Sequence, residues 1–117
     1  MVYMESPAGV GYNEGSILKY SWDDESVSYD NLNSTVQFFR RFPELRNKEL
    51  YLSGESYAGI YVPYLALRIL EWNDLNPNEK INLKGIMIGN GVTHWQYDTA
   101  PALVEMAYAH GLIDLEL

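Results

Sequence analysis

The 117-residue chain has no cysteine. A disulfide framework, a thiolate metal site and a cysteine nucleophile are therefore excluded within these residues. Basic residues are scarce: eight Lys+Arg face sixteen Asp+Glu, a formal net charge of -8. Such a surface repels a phosphate backbone, so nucleic acid is not an expected partner. No apolar run approaches the roughly 20 residues that span a bilayer. Residues 1–12 show neither the basic nor the apolar region of a secretory signal. Histidine occurs only at His94 and His110, which restricts any chemistry that needs an imidazole base.

What is present is ordinary globular usage, 47% hydrophobic and 21% charged. That is enough apolar surface to offset chain entropy, and the length suits one small domain rather than two. Residues 1–5 (MVYME) are short, apolar and β-prone, and Ser6-Pro7-Ala8-Gly9-Val10-Gly11 cannot continue a strand. A Gly-, Ser- and Tyr-rich loop is expected from there to about Trp22. A helix is expected to begin near Asp23, with Asp24 and Glu25 at the positive end of its dipole and Arg40 and Arg41 in its last turn, stopped by Pro43. The acidic run at 23–25 is read as this helix start and not as a metal site. Val27, Leu32, Val36 and Phe39 form its apolar stripe. Residues 49–53 read as a second strand. A helix over residues 56–72 follows, with Leu65, Ile69 and Trp72 on one face and Pro63 either kinking it or starting its main segment. Residues 81–89 read as a third strand, apolar at its end and so expected to be buried. A last helix is expected from about Thr99 to Tyr108. Strands alternating with helices imply an α/β fold with a parallel sheet.

The chemistry-bearing segment is Leu50-Tyr51-Leu52-Ser53-Gly54-Glu55-Ser56-Tyr57-Ala58-Gly59. A strand runs into a serine flanked by small residues and a helix begins at once, the arrangement of a nucleophile elbow. The serine then sits in a strained turn, costing roughly 1–3 kcal/mol. Strand and helix approach so closely that positions two either side of it must be small. Gly54 and Ala58 meet that demand, although Ala58 departs from a strict G-x-S-x-G string. Such a turn exposes the Ser56 hydroxyl and aims the N–H of Tyr57 at a developing oxyanion. From these residues alone the alternative stands open: an ordinary strand–helix turn with Ser56 as a helix N-cap.

Further blocks occur in order along the chain: Glu5-Ser6-Pro7-Ala8-Gly9-Val10-Gly11-Tyr12, Phe38-Phe39 with Phe42-Pro43-Glu44, Gly54 to Gly59 with Tyr61-Val62-Pro63, Ile88-Gly89-Asn90-Gly91, and Tyr108-Ala109-His110-Gly111. Together they resemble the serine carboxypeptidase family, whose fold is the α/β-hydrolase fold. The resemblance implies that Ser56 is the acyl-forming nucleophile and the Tyr57 N–H one oxyanion donor. Glu55 would be the acid that hydrogen-bonds the substrate's C-terminal carboxylate, and residues 5–11 a loop lining the edge of the site. Two carboxylates share a hydrogen bond only when one is protonated, so such a Glu55 implies tighter substrate binding in acid. The implied substrates are peptide or protein C-termini, with no cofactor and no metal. The implied location is the secretory route: lysosome, vacuole or outside the cell. Asn33-Ser34-Thr35 is an N-glycosylation sequon compatible with it, though it falls inside the expected first helix.

Ser56, Asp98 and His110 occur in the order of a hydrolase triad, but the resemblance places the acid and base after later strands. His110 instead falls in a stretch leading into a cap insertion near residues 100–117, and His94 is expected beside Trp95. The three strands resemble the fourth, fifth and sixth of the hydrolase sheet, in which the third lies between the fourth and fifth. The first strand here would then lack its central neighbour. The expectation is an internal part of a longer enzyme, a single partial domain over residues 1–117, inactive and poorly stable when expressed alone. An acyltransferase of the same family, or a non-catalytic homologue, would carry the same blocks.

Overall fold

Asp23 starts the first helix, α1 (Asp24–Arg41). Its carboxylate accepts the Ser26 N–H at 2.6 Å while Ser26 Oγ accepts the Asp23 N–H at 3.1 Å, a reciprocal cap that satisfies two otherwise orphaned donors. A single 3₁₀ turn at Pro43–Leu45 ends the run and leads into β1 (Leu50–Glu55). The chain then forms α2 (Ala58–Leu75), β2 (Leu83–Gly89), the single turn α3 (Trp95–Asp98) and α4 (Ala100–Ala109). This computed structural model describes residues 1–13, 21–98 and 100–114. The expected loop up to Trp22 lies partly outside them, as does Thr99.

β1 and β2 pair in parallel, with Leu50 opposite Leu83 and Glu55 opposite Gly89. A parallel pair needs a crossover, and α2 supplies it. Leu50, Leu52 and Leu83 turn toward the helices, where Val36 and Phe39 of α1 meet Leu65 and Ile69 of α2 and Ile81 at the entry to β2. Ile69 is fully buried and Ile81 nearly so. Asn73 fixes that entry by holding both backbone groups of Ile81, accepting its N–H at 2.7 Å and donating to its carbonyl at 2.8 Å. Pro63 lies inside α2, which begins before it, so the proline does not start the helix.

α1 and α2 are also tied by one cation. Arg68 donates from Nε to Ser28 Oγ at 3.1 Å, pairs with Glu25 at 3.1 Å and with Glu71 at 2.9 Å, and lies 4.2 Å from the centre of the Tyr29 ring. Its aliphatic stem is buried while the head is paired, the usual solution for a charge at a helix interface.

Two expectations need correction. Residues 1–5 form no strand. The sheet of the described residues consists of β1 and β2, and Val2, Tyr3 and Met4 line a cavity of about 500 Å³ together with Tyr51, Leu52 and Ser53. Strand formation needs a hydrogen-bonded partner, and residues 1–5 pair with no strand among the described residues. Second, the end of β2 is not buried: Ile86 and Met87 are 44% and 54% exposed. The helices cover one face of the sheet, and among the described residues nothing covers the other.

Truncating Ile69 to Ala should cost about 2–5 kcal/mol, because the site cannot collapse around a side chain with no exposed surface. Urea denaturation of the full-length protein measures this; a loss below 1 kcal/mol would show that the α1–α2 seam is not the core.

Candidate active site

The chain turns sharply between β1 and α2, and the turn is built by the absence of side chains. A Cβ on Gly54 would collide with the Cβ of Ala58. A Cβ on Gly59 would run into the carbonyl oxygen of Val92, with the Val92 carbonyl carbon only 2.7 Å away. Across the same contact, a Cβ on Gly91 would sit 3.1 Å from Gly59 Cα. The second small residue therefore does not have to be a glycine at 58, because Gly54 leaves room for the Ala58 methyl. The stricter demand falls one residue later, at Gly59, where the segment after β2 crosses the start of α2.

Ser56 stands at the apex with φ 60°, in the left-handed region that a side chain rarely occupies. Such a conformation persists only where the surroundings over-determine it. Here the Ser56 N–H donates to the Gly89 carbonyl at 3.0 Å. The Ser56 carbonyl accepts the N–H groups of Gly59 at 3.1 Å and Val92 at 3.0 Å. The helix N-cap is Tyr57 and no side chain caps it, so Ser56 is not spending its hydroxyl on the helix end. Its residue is exposed, at the carboxyl end of a parallel strand, where open α/β sheets bind ligands.

The next residue completes the turn. Among the described residues the Tyr57 N–H has no acceptor, nor does that of Ala58, while the Ser56 and Gly59 N–H groups on either side are taken. Its side chain turns away and donates from Oη to Asp24 Oδ1 at 3.0 Å, with ring contacts to Tyr61 at 5.0 Å and Trp95 at 5.9 Å. That hydrogen bond to Asp24 raises the phenol above its ordinary value, aided by desolvation, so the hydroxyl remains a donor. Glu55 is exposed at the last position of β1, immediately beside Ser56.

The loop at residues 5–11 is held by its own acid: Glu5 accepts the Tyr12 N–H at 2.8 Å and Asn13 Nδ2 at 3.3 Å. Asn90 joins the site without any chemistry-bearing signal of its own in the sequence. It too has positive φ, 45°, at the end of β2 beside the elbow. The Asn90-Gly91 dipeptide was the available signal, since asparagine tolerates this region better than most residues.

The histidines are occupied elsewhere. His94 lies against Tyr97, ring centroids 4.6 Å apart, and its Nδ1 accepts the Gln96 N–H at 3.2 Å. His110 Nδ1 lies 2.8 Å from the Met106 carbonyl. Asp98 accepts from Thr93 N–H at 2.6 Å, Thr93 Oγ1 at 2.8 Å and His94 N–H at 2.7 Å. Among the described residues no hydrogen bond joins Ser56, Asp98 and His110 into a triad. No cluster of His, Asp and Glu suited to a metal occurs among them either.

Comparison with known proteins follows the same lines. The family model described as serine carboxypeptidase matches residues 1–117. Serine carboxypeptidase-like 42 of Arabidopsis thaliana is 40% identical over 118 residues, covering 100% of this chain and 25% of its own length. The lysosomal protective protein of Mus musculus is 39% identical over 113 residues, covering 97% of this chain and 22% of its own. The chain thus spans about a quarter of the length of the curated relatives it matches. Among solved structures, a prohormone-processing carboxypeptidase of Saccharomyces cerevisiae, Kex1(delta)p, superposes with a TM-score of 0.72 at 33% identity, over 84% of this chain and 20% of that one. The two-stranded parallel unit described above is accordingly part of an α/β-hydrolase fold.

Two outcomes follow from this geometry. Gly59→Ala should destabilise the full-length protein by about 1–3 kcal/mol, read by urea denaturation, because backbone rather than a yielding side chain blocks the new methyl. The Thr93 and His94 hydrogen bonds hold Asp98 below its ordinary 3.8. A lowered carboxylate stabilises the fold above that ordinary value and loses its contribution as pH falls through the lower folded one. The protection factors of the Thr93 and His94 amides, which discount the slower intrinsic exchange in acid, should therefore fall as the solution is acidified below 3.8; protection factors unchanged after Asp98 has been protonated would contradict it.

Proposed function

The chain belongs to the serine carboxypeptidase family, and from that premise we propose that in the full-length protein Ser56 is the nucleophile that removes residues from peptide C-termini. The observation that carries this is the left-handed Ser56 between β1 and α2, exposed and uncapped, next to a Tyr57 N–H without an acceptor. Ser56 Oγ adds to the carbonyl carbon of the last peptide bond while a base takes its proton. The carbonyl oxygen becomes an oxyanion and accepts the Tyr57 N–H. Collapse breaks the C–N bond as the base returns its proton to the leaving nitrogen, so that the C-terminal residue departs as a free amine and an ester is left on Ser56. Water hydrolyses that ester by the same route.

The base and its orienting acid are assigned to residues outside these 117, since His94 and His110 bond elsewhere. Glu55, protonated, would share its proton with the substrate's terminal carboxylate. Residues 5–11 would line the edge of the site. α4 would begin a cap segment, a reading supported by its exposed Leu103, Val104 and Met106. The mouse relative is named as lysosomal and the yeast structure as prohormone-processing. We accordingly assign this protein to the secretory or lysosomal route. Asn33 is exposed on α1, as a glycan there would require.

The full-length protein should release C-terminal residues from unblocked peptides, and Ser56→Ala should abolish this, a fall of roughly 10⁶ in kcat. KM for such peptides should fall as pH is lowered, and Glu55→Gln should flatten that trend. Hydrolysis that survives Ser56→Ala would overturn the assignment. Ser56-dependent acyl transfer to an alcohol without peptide hydrolysis would make the protein an acyltransferase instead.

A further inference from the structure

Tyr57 has two tasks at opposite ends, and only one belongs to the reaction as described. Its backbone N–H has no acceptor beside Ser56, while its hydroxyl reaches the first turn of α1 and donates to Asp24 at 3.0 Å, across 33 positions of sequence. Asp24 is not the helix cap; that role belongs to Asp23, whose carboxylate is taken by Ser26. Asp24 is half-buried, and the only hydrogen bond of its side chain among the described residues is this one. A first-turn carboxylate is itself steadied by the positive end of the helix. It is thus a fixed point against which Tyr57 can be braced.

Resting on the assignment of Ser56 as nucleophile, we infer that Asp24 is a positioning residue for acylation: by accepting the Tyr57 hydroxyl it fixes the rotation of Tyr57 and so the aim of its N–H at the oxyanion. Tyr57 is the first residue after the strained Ser56 and itself has helical φ -62° and ψ -12°. Below it the Ser56 carbonyl is pinned to Gly59 and Val92, so one side of the Ser56–Tyr57 peptide is fixed by backbone. The Tyr57 N–H itself makes no backbone bond, although the Tyr57 carbonyl accepts the Ile60 N–H at 2.9 Å and the Tyr61 N–H at 3.4 Å. The Tyr57 side chain, anchored by Asp24 and packed against Tyr61 and Trp95, adds a hold that the backbone does not supply. An oxyanion donor is useful only where it need not reorganise during the reaction. Loosening this anchor should therefore slow bond formation more than it weakens binding.

The test uses the full-length protein and the pre-steady-state burst of p-nitrophenol from p-nitrophenyl acetate, which reads acylation of Ser56 whether the natural acceptor is water or an alcohol. Asp24→Ala and Tyr57→Phe should each lower the acylation rate constant about ten-fold, with the half-saturating ester concentration changed less than about two-fold. The double variant should be no slower than the slower single one, because both remove the same bond. Asp24→Asn keeps an oxygen that accepts the phenol and should restore the native rate. Thermal melts of each variant separate this from loss of folded protein, and Tyr57→Phe, which keeps the ring, decides the matter if Asp24→Ala does not fold. An unchanged acylation rate in Tyr57→Phe, multiplying losses in the double variant, or an Asp24→Asn as slow as Asp24→Ala would overturn the inference. A wild-type burst without release of C-terminal residues from peptides would overturn the peptidase assignment alone, the same rate ratios still deciding Asp24. No burst from folded wild type would overturn both.

Discussion

Everything at this site depends on how closely β1, α2 and the segment after β2 approach one another. Three positions without side chains set that distance. Gly54 lies against Ala58, and Gly59 and Gly91 let the backbone at Val92 cross the first turn of α2. Once the three segments are so close, the Ser56 backbone has only one set of partners, the Gly89 carbonyl and the Gly59 and Val92 amides, and meeting them requires φ 60°. The strain, about 1–3 kcal/mol, is thereby supported by packing and hydrogen bonds around it. The same turn leaves the Ser56 residue exposed and the next N–H without an acceptor, the two features on which the proposed nucleophile role rests.

The remainder of the structure holds this turn in place from a distance. The Val36, Phe39, Leu65, Ile69 and Ile81 cluster seats α2 and α1 together. Arg68 and its partners lock the same seam through charge. Asn73 fixes the start of β2 and Asp98 the segment after it, so the stretch that carries Gly89 and Val92 is held on both sides. The polar groups thus work at the borders of elements, where backbone donors and acceptors would otherwise be unmatched.

Much of this was legible in the sequence, because it rests on local patterns. Asp23 and Pro43 bracket α1, Leu65 and Ile69 mark the inner face of α2, and small residues around Ser56 announce the elbow. The burial of β2 was not legible. An apolar run such as Ile86-Met87-Ile88 states only that burial is favourable, not which face of a sheet finds a cover. The strand expected at residues 1–5 failed for a related reason, since strand formation is a property of a pair and propensity describes one member. The site details that escaped were non-local. Val92 against Gly59 and Asp24 against Tyr57 join positions whose separation carries no periodic signal. The Ala58 departure from the strict motif became intelligible only once Gly54 was seen to face it.

The central claim is that the elbow makes Ser56, and no other serine in this chain, a nucleophile. The most direct measurement is reaction of the folded full-length protein with a fluorophosphonate, followed by peptide mapping of the adduct. The account predicts a stoichiometric adduct on Ser56 that is lost when the protein is unfolded before labelling, since the reactivity lies in the turn and not in the residue type. An adduct on another serine, or equal labelling of folded and unfolded protein, would contradict it.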